Sequence, residues 1–280
     1  MDTNRRNLLH GLSATALLAR YFDAGASAGT TSSLSEEHMK IMTRTLGAGL
    51  NGQEQVAMLL YPRFTALDLV GPHYFFACLL GAQIHLVTTE KDLTPVPSDL
   101  GLAITPTVTM ADTPRDLDVL LLPGGTDGTV SLMRRADTMT WISDRAARAR
   151  YVTSVCTGSM ILAKAGVLKG RKATSHWVAR PILADFGAHP TDQRVIRDGN
   201  VITSAGVSAG IDLAITLVEI LRGRPYAESL MLQAEYAPEP PFSGGTPTTT
   251  PREVTATIDD MFAPIAAQLR ALAGNSHPPA

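Results

Sequence analysis

Short runs of consecutive apolar residues alternate with helix-like segments through the middle of the chain. The run at 56–61 ends at Pro62 and predicts a strand that is buried on both faces. Three further runs of this kind lie at 84–87, 117–122 and 151–155, and helix-forming segments lie at 67–80 and 138–150. This alternation predicts an α/β fold with a mostly parallel sheet and helices on both faces.

The later part of the chain adds a hairpin and three helices to this pattern. Residues 194–204 predict two strands that turn at Asp198 and Gly199. A long apolar helix is expected at 209–221, with Ser208 in position to cap it. Further helices are expected at 226–236 and 254–273, on either side of a proline-rich segment.

The first 28 residues differ in character from the rest. Arg5 and Arg6 precede a short apolar run at 12–19, and small residues at 24–28 offer Ala-x-Ala cleavage sites. This pattern predicts a twin-arginine signal peptide at 1–28, and therefore a periplasmic or secreted protein without a membrane segment after cleavage. A basic tail without a sorting role is the alternative.

Three further segments follow the predicted signal. Residues 29–52 are rich in Ser, Thr and Gly and are expected to form a spacer, with a short helix at 36–46. A catalytic domain is expected at 53–252, and a C-terminal helix and tail at 253–280. No internal repeat divides the chain, so a single domain is predicted.

Composition excludes several classes of function. The net charge is -2 and no cluster of Lys or Arg stands out, so nucleic acid is not an expected partner. Cys78 and Cys156 are too few for a disulfide framework and lack the spacing of a zinc site. No strand is followed by a phosphate-binding or dinucleotide-binding glycine motif, so a nicotinamide or flavin cofactor is not expected.

The strongest chemical signal is Cys156. A predicted strand ends directly at this residue, and a helix of small residues begins at once. Such a turn is a nucleophile elbow, which places the thiol at the carboxyl edge of the sheet, where a helix dipole is expected to lower its pKa. The alternative is an inert buried cysteine, which is how Cys78, among large apolar residues, is interpreted.

Two other segments are expected to reach the same edge of the sheet. Gly124 and Gly125 follow another strand, and the backbone N–H groups of Gly125 and Thr157 are expected to point at developing negative charge. Asp68 follows the first strand and is expected to exchange a proton with whatever Cys156 attacks. The alternatives are a turn that binds nothing and an exposed carboxylate at a helix start.

The histidines carry a weaker signal. His176 is expected to line the pocket or to support it, and the other histidines are interpreted as structural. Thr157 occupies the position directly after Cys156, where a cysteine–histidine dyad would place its imidazole. The sequence therefore favours an aspartate over a histidine as the partner of the thiol.

Together these segments resemble the ThiJ/PfpI superfamily, whose members are flavodoxin-like α/β sandwiches. The resemblance covers about residues 55–252 and is closest to the isonitrile hydratases within that superfamily. Besides the glycine turn and the Asp68 segment, the similar stretches are 149–159, 171–177, 197–200, 209–212 and 235–238.

The resemblance implies hydration of an isonitrile to an N-substituted formamide, without metal or organic cofactor. The family's catalytic cysteine, adjacent threonine and aspartate match Cys156, Thr157 and Asp68. In the implied chemistry Cys156 attacks the isonitrile carbon, and Asp68 donates a proton to it and then activates water. Thr157 positions water or Asp68 through its hydroxyl, and Gly125 supplies a backbone donor. A small-molecule substrate and a homodimer are also implied.

Other functions stay open within the same resemblance. A PfpI-like peptidase or a glyoxalase-type hydratase would use the same cysteine, although Thr157 disfavours the peptidase dyad. The ligand-sensing half of a transcription regulator would carry a helix-turn-helix pair, for which residues 253–280 are too few. In a redox sensor, Cys156 would be oxidised rather than turned over.

Overall fold

A central sheet flanked by helices organises the part of the chain that the computed structural model describes, residues 36–47 and 50–274. The predicted signal peptide at 1–28 and much of the spacer lie outside the described residues. In chain order the strands are β1 Gln55–Leu60, β2 Gln83–Thr88, β3 Val96–Pro97, β4 Ala103–Ile104, β5 Val108–Thr109, β6 Val119–Leu122, β7 Tyr151–Ser154, β8 Lys172–Ala173, β9 His189–Pro190, β10 Val195–Asp198 and β11 Val201–Ser204.

The seven-stranded sheet has the order β10-β11-β7-β6-β1-β2-β5. Its neighbouring strands are parallel except for β10 and β11, which form the antiparallel hairpin predicted around Asp198. The strands β7, β6 and β1 therefore lie side by side in the middle of the sheet. Because they are parallel, the segments that follow them emerge at one common edge.

The helices pack as two groups against this sheet. They are α1 Glu36–Leu46, α2 Ala66–Ala77, α3 Asp127–Met133, α4 Ala136–Arg148, α5 Gly158–Lys164, α6 Ala209–Arg222, α7 Arg224–Gln233 and α8 Arg252–Gly274, with a 3₁₀ helix at Arg180–Phe186. Helices α2, α6 and α7 contact one another, while α3, α4, α5 and α8 form a second group. The predicted α/β sandwich with a mostly parallel sheet is confirmed.

The core explains why the central strands are continuous apolar runs. Val56 to Leu60 of β1 and all four residues of β6 are fully buried, since both faces of these strands are covered by helices. Within the described ranges, no helix combines the length and apolar character that a membrane crossing requires.

Ser208 differs from its predicted role. It does occupy the position before α6, but its backbone is already helical, and its side chain makes no capping hydrogen bond. The hydroxyl instead accepts a hydrogen bond from Arg194 at 3.3 Å. A capping residue typically has a non-helical, extended backbone, and Ser208 does not, which is why the sequence pattern was misleading here.

A buried ion pair joins the end of α6 to the start of β1. Arg222 donates from Nε to Glu54 Oε1 at 2.7 Å, and its other nitrogens donate to the carbonyls of Leu50 and Leu80. The side chains of Arg222 and Glu54 are only 2% and 11% exposed. Removing one partner would leave the other charge buried without compensation.

We therefore expect Arg222→Met to lower the free energy of unfolding by about 3–5 kcal/mol, as for other buried pairs that lose one member. Urea denaturation measures this change. The matched control is Arg224→Met, which breaks the exposed pair with Glu228 and should change the free energy of unfolding far less, because water screens exposed pairs. Equal losses in the two variants would contradict the role assigned to the buried pair.

Candidate active site

Cys156 lies at a sharp turn between β7 and α5. Its φ is 56°, a left-handed conformation that is uncommon for residues other than glycine and that needs support from its surroundings. The Cys156 N–H donates to the Ala205 carbonyl at 3.0 Å, and its own carbonyl accepts from the hydroxyls of Ser159 and Ser175. The predicted strand-to-helix elbow is present and firmly held.

Glycines allow the ends of β6 and β7 to meet. A Cβ atom on Gly124 would lie 2.6 Å from Thr157 Oγ1 and 2.8 Å from Asp68 Oδ2. A Cβ atom on Gly158 would overlap the carbonyl of Leu122. Any larger residue at these two positions would push the turns apart. Glycine at both positions therefore brings the segments that follow β1, β6 and β7 into direct contact.

Asp68 is fully buried in the first turn of α2. The Gly124 N–H donates to its Oδ2 at 2.8 Å, whereas Oδ1 has no well-formed hydrogen bond within the described residues, although the Cys156 thiol lies beside the carboxyl group. Burial raises the pKa of Asp68 to about 7, and the negative charge of Asp99 adds to this rise. The alternative of an exposed helix-start carboxylate is therefore wrong.

The pKa of Cys156 is also raised, which corrects the prediction of a lowered value. Burial is the main cause, and the nearby charge of Asp68 is the second. Backbone N–H groups of Val207 and Thr157 point at the sulfur and oppose the rise. Burial raises the pKa of Cys156 more than the dipole of α5 lowers it, because this helix is only seven residues long and Cys156 is only 6% exposed.

Asp68 and Cys156 therefore act as one titrating pair. Burial raises the pKa of both groups, the negative charge of Asp68 raises that of Cys156 further, and the thiol hydrogen-bonds the Asp68 carboxyl group, so the pair holds one proton over a broad range of pH above about 7. In that state the proton resides either on the thiol or on the carboxyl group. The second arrangement contains both a thiolate nucleophile and a carboxylic acid, without any change in total charge.

The hydroxyl of Thr157 and the backbone of Gly125 bond to each other rather than to Asp68 or Cys156. The Gly125 N–H donates to Thr157 Oγ1 at 2.9 Å, and this hydroxyl donates to the Gly125 carbonyl at 2.6 Å. Thr129 lies on its other side at 3.0 Å. The Gly125 N–H is thus not the free donor that was expected, and the hydroxyl of Thr157 fastens the glycine turn instead of contacting Asp68.

A cavity of about 200 Å³ opens beside Cys156. His176 lines it, as predicted, with its ring centroid 5.4 Å from that of Phe262, and burial lowers the pKa of this histidine. Helix α8 contributes one wall. The residues lining the cavity are Thr65, Asp99, Gly125, Thr126, Cys156, Thr157, His176, Val178, Ala179, Val207, Phe262, Ile265, Ala266 and Leu269.

Sequence reasoning missed several of these residues. The four from α8 follow the three- and four-residue spacing of one helix face, so the pattern indicated a buried face but not what it covers. Asp99 lies in a loop without a motif, and Val207 contributes to the site through its backbone N–H.

The 252/253 boundary of the predicted catalytic domain stays a prediction, although α8 packs directly on this site.

The fold and site define an α/β protein with a cysteine elbow and a buried carboxyl partner at the carboxyl edge of a parallel sheet. Residues 54–220 match the model of the DJ-1/PfpI family. The chain belongs to the DJ-1/PfpI family, which confirms the predicted relationship.

Individual relatives agree with this assignment. The chain is 48% identical over 200 residues to isonitrile hydratase of Pseudomonas putida, covering 71% of this chain and 86% of that protein. It is 30% identical over 152 residues to protein DJ-1alpha of Drosophila melanogaster, covering 54% and 70%. The crystal structure of a ThiJ/PfpI family protein from Pseudomonas syringae matches with a TM-score of 0.79 and 47% identity, covering 90% of this chain and 99% of that one.

The shared proton predicts how the reactivity of Cys156 varies with pH. In a Cys78→Ser background, alkylation by iodoacetamide should rise with pH around a midpoint near 7, the pKa of Asp68, because the thiolate becomes accessible once the pair has lost its first proton. Mass spectrometry of the alkylated peptide between about pH 5.5 and 9.5 follows the rate. Asp68→Asn should remove this step and shift the rise to higher pH, and an unchanged profile in that variant would contradict the pairing.

Proposed function

We propose that this protein is an enzyme that hydrates an isonitrile to an N-substituted formamide. The observation that carries the proposal is the buried pair of Cys156 and Asp68, which shares one proton beside a small cavity. The 48% identity to isonitrile hydratase over most of both chains supports the same activity. An isonitrile carbon accepts a nucleophile and a proton at one atom, which are the two groups that this pair supplies.

In the first step the thiolate of Cys156 attacks the isonitrile carbon. The carboxyl group of Asp68 donates its proton to that same carbon, so the product is a thioimidate in which the carbon carries hydrogen, sulfur and a double bond to nitrogen. The N–H groups of Val207 and Thr157 stabilise the thiolate before the attack. Asp68 is left as a buried carboxylate, which is a stronger base than an exposed one because burial disfavours its charge.

In the second step the Asp68 carboxylate removes a proton from water while the oxygen adds to the thioimidate carbon. That proton passes to the nitrogen. The C–S bond then breaks, the hydroxyl proton moves to Asp68, and the formamide leaves. Cys156 is again a thiolate and Asp68 again a carboxylic acid, so the cycle consumes one water and needs no oxidant or reductant.

The cavity supports a small substrate rather than a polypeptide. Its volume of about 200 Å³ is below the roughly 300–1,000 Å³ of pockets that hold drug-sized ligands. Burial also disfavours oxidation of Cys156, because oxidation depends on exposure as well as on thiolate character. These two features favour hydration over the peptidase and redox-sensor alternatives.

Formation of N-cyclohexylformamide from cyclohexyl isocyanide, followed by chromatography, tests the proposal. The parent should turn over, Cys156→Ala should show no activity, and Asp68→Asn should lose at least about 100-fold in kcat, the lower range for a general acid–base group. The matched control is Asp127→Asn, which alters an exposed first-turn aspartate of α3. Full activity of Asp68→Asn, or no turnover by the parent, would overturn the proposal.

We also propose export through the twin-arginine pathway and assembly as a homodimer. Replacing Arg5 and Arg6 together with lysine should retain the protein in the cytoplasm, because the export signal depends on the arginine pair. Cell fractionation measures its location, and light scattering of the purified mature chain measures its oligomeric state. Unchanged export of the double variant would contradict the proposed signal.

A further inference from the structure

The peptide group between Pro123 and Gly124 lies between Asp68 and the side chain of Tyr61. Its N–H, on Gly124, donates to Asp68 Oδ2 at 2.8 Å, and its carbonyl, on Pro123, accepts from the Tyr61 hydroxyl at 2.9 Å. A trans peptide group is planar, and its N–H and its carbonyl point in opposite directions. The hydroxyl of Tyr61 therefore helps to fix the orientation of the group that donates to Asp68.

Glycine at position 124 gives this hydrogen bond its importance. Gly124 has no side chain to restrict rotation of the peptide group that precedes it. The carbonyl of Gly124 accepts from the Thr65 N–H at 2.8 Å, and the Gly125 N–H donates to Thr157, so the peptide groups that follow are held by other contacts. The orientation of the Pro123–Gly124 peptide itself is held by Tyr61 on one side and by Asp68 on the other.

The hydroxyl of Tyr61 is itself held in place as a donor. Tyr61 follows β1 directly and is only 1% exposed, and its oxygen lies 3.2 Å from Thr129 Oγ1 of α3. Because the single hydroxyl proton of Tyr61 is donated to Pro123, Thr129 is the donor in that contact. Burial raises the pKa of Tyr61 well above its usual value, so the hydroxyl keeps its proton over the range in which Asp68 titrates.

The Gly124 N–H acts on the charge of Asp68. A donor to a carboxylate favours the charged form, and this N–H opposes the effect of burial on the pKa of Asp68. A hydrogen bond to the carbonyl of the same peptide polarises that group and strengthens its N–H as a donor. Cys156 and Asp99 are the titratable groups that act on both Asp68 and Tyr61, and a change from tyrosine to phenylalanine leaves both of them in place.

We propose that Tyr61 is a positioning residue, whose hydroxyl holds the Pro123–Gly124 peptide with its N–H directed at Asp68. The inference rests on the proposed function and deepens it, because Asp68 is the acid of the first step and the base of the second. Without the hydroxyl the carboxylate is less well stabilised, and the pair with Cys156 loses its first proton at higher pH. Tyr61 is not among the described residues that line the cavity, so it acts on Asp68 rather than on the substrate.

The pH profile of Cys156 alkylation tests this role without any isonitrile. In the Cys78→Ser background, Tyr61→Phe removes one oxygen atom and keeps the buried ring. The midpoint near 7 should move to higher pH by about 0.5 to 1 unit, the effect of weakening one hydrogen bond to a charged group. A role in packing alone would lower the stability of the protein and leave the midpoint unchanged.

Tyr226→Phe is the matched control, because its buried hydroxyl also donates to a backbone carbonyl, that of Cys78 at 3.0 Å, but lies on α7. This variant should keep the parent midpoint. Thr129→Val removes the hydroxyl that donates to Tyr61 and should also raise the midpoint, whereas Thr129→Ser retains a hydroxyl and should restore the parent value. A parental midpoint in Tyr61→Phe, or in Thr129→Val if Tyr61→Phe does not fold, would overturn the inference, as would an equal shift in Tyr226→Phe.

Turnover of cyclohexyl isocyanide provides the second measurement. The rise of kcat/KM with pH reports the same free pair, so it should move to higher pH in Tyr61→Phe, while KM measured above the rise stays near the parent value. A changed KM with an unshifted profile would mean that Tyr61 shapes the substrate site, against the inference. If the parent hydrates no isonitrile, the proposed function fails, and the alkylation midpoints alone decide whether Tyr61 positions the donor to Asp68.

Discussion

The two turns that leave β6 and β7 touch so closely that only glycine fits at Gly124 and Gly158, and the site depends on this contact. Leu122 pairs with Ser154 at the ends of these strands, so the sheet itself sets the distance between the turns. At that distance the Gly124 N–H binds Asp68 and the Gly125 N–H binds Thr157. The relative positions of Cys156, Asp68 and Thr157 are therefore determined by backbone packing rather than by flexible side chains.

The burial of Asp68 beside Cys156 works against the stability of the fold. Burial disfavours the charge of Asp68, and the hydrogen bonds from Gly124 and Cys156 offset only part of that cost. Between the usual pKa of 3.8 and about 7, the folded protein binds more protons at Asp68 than the unfolded chain does. Stability from this group therefore falls as pH rises through that window. The strained φ of Cys156 adds a second cost at the same site.

The arrangement of strands and the meeting of Cys156, Asp68 and the glycine turn could be predicted from the sequence. Apolar runs mark buried strands, and parallel strands deliver the residues that follow them to one edge. The direction of the Cys156 pKa shift could not be predicted, because desolvation depends on how completely distant segments enclose the thiol. The hydrogen bond between Gly125 and Thr157 was missed for a similar reason, since two turns 32 residues apart must meet before it can form.

Residues inside and outside the family match both line the cavity. The family match ends at residue 220, before α8, yet α8 supplies Phe262, Ile265, Ala266 and Leu269 to the cavity wall. Cys156 and Asp68 lie inside the matched region on the sheet edge. The family match therefore covers the sheet edge with Cys156 and Asp68, whereas the size and polarity of the cavity depend also on α8. Two proteins of one fold that share this cysteine and aspartate can therefore differ in function when the residues that line the rest of the cavity differ.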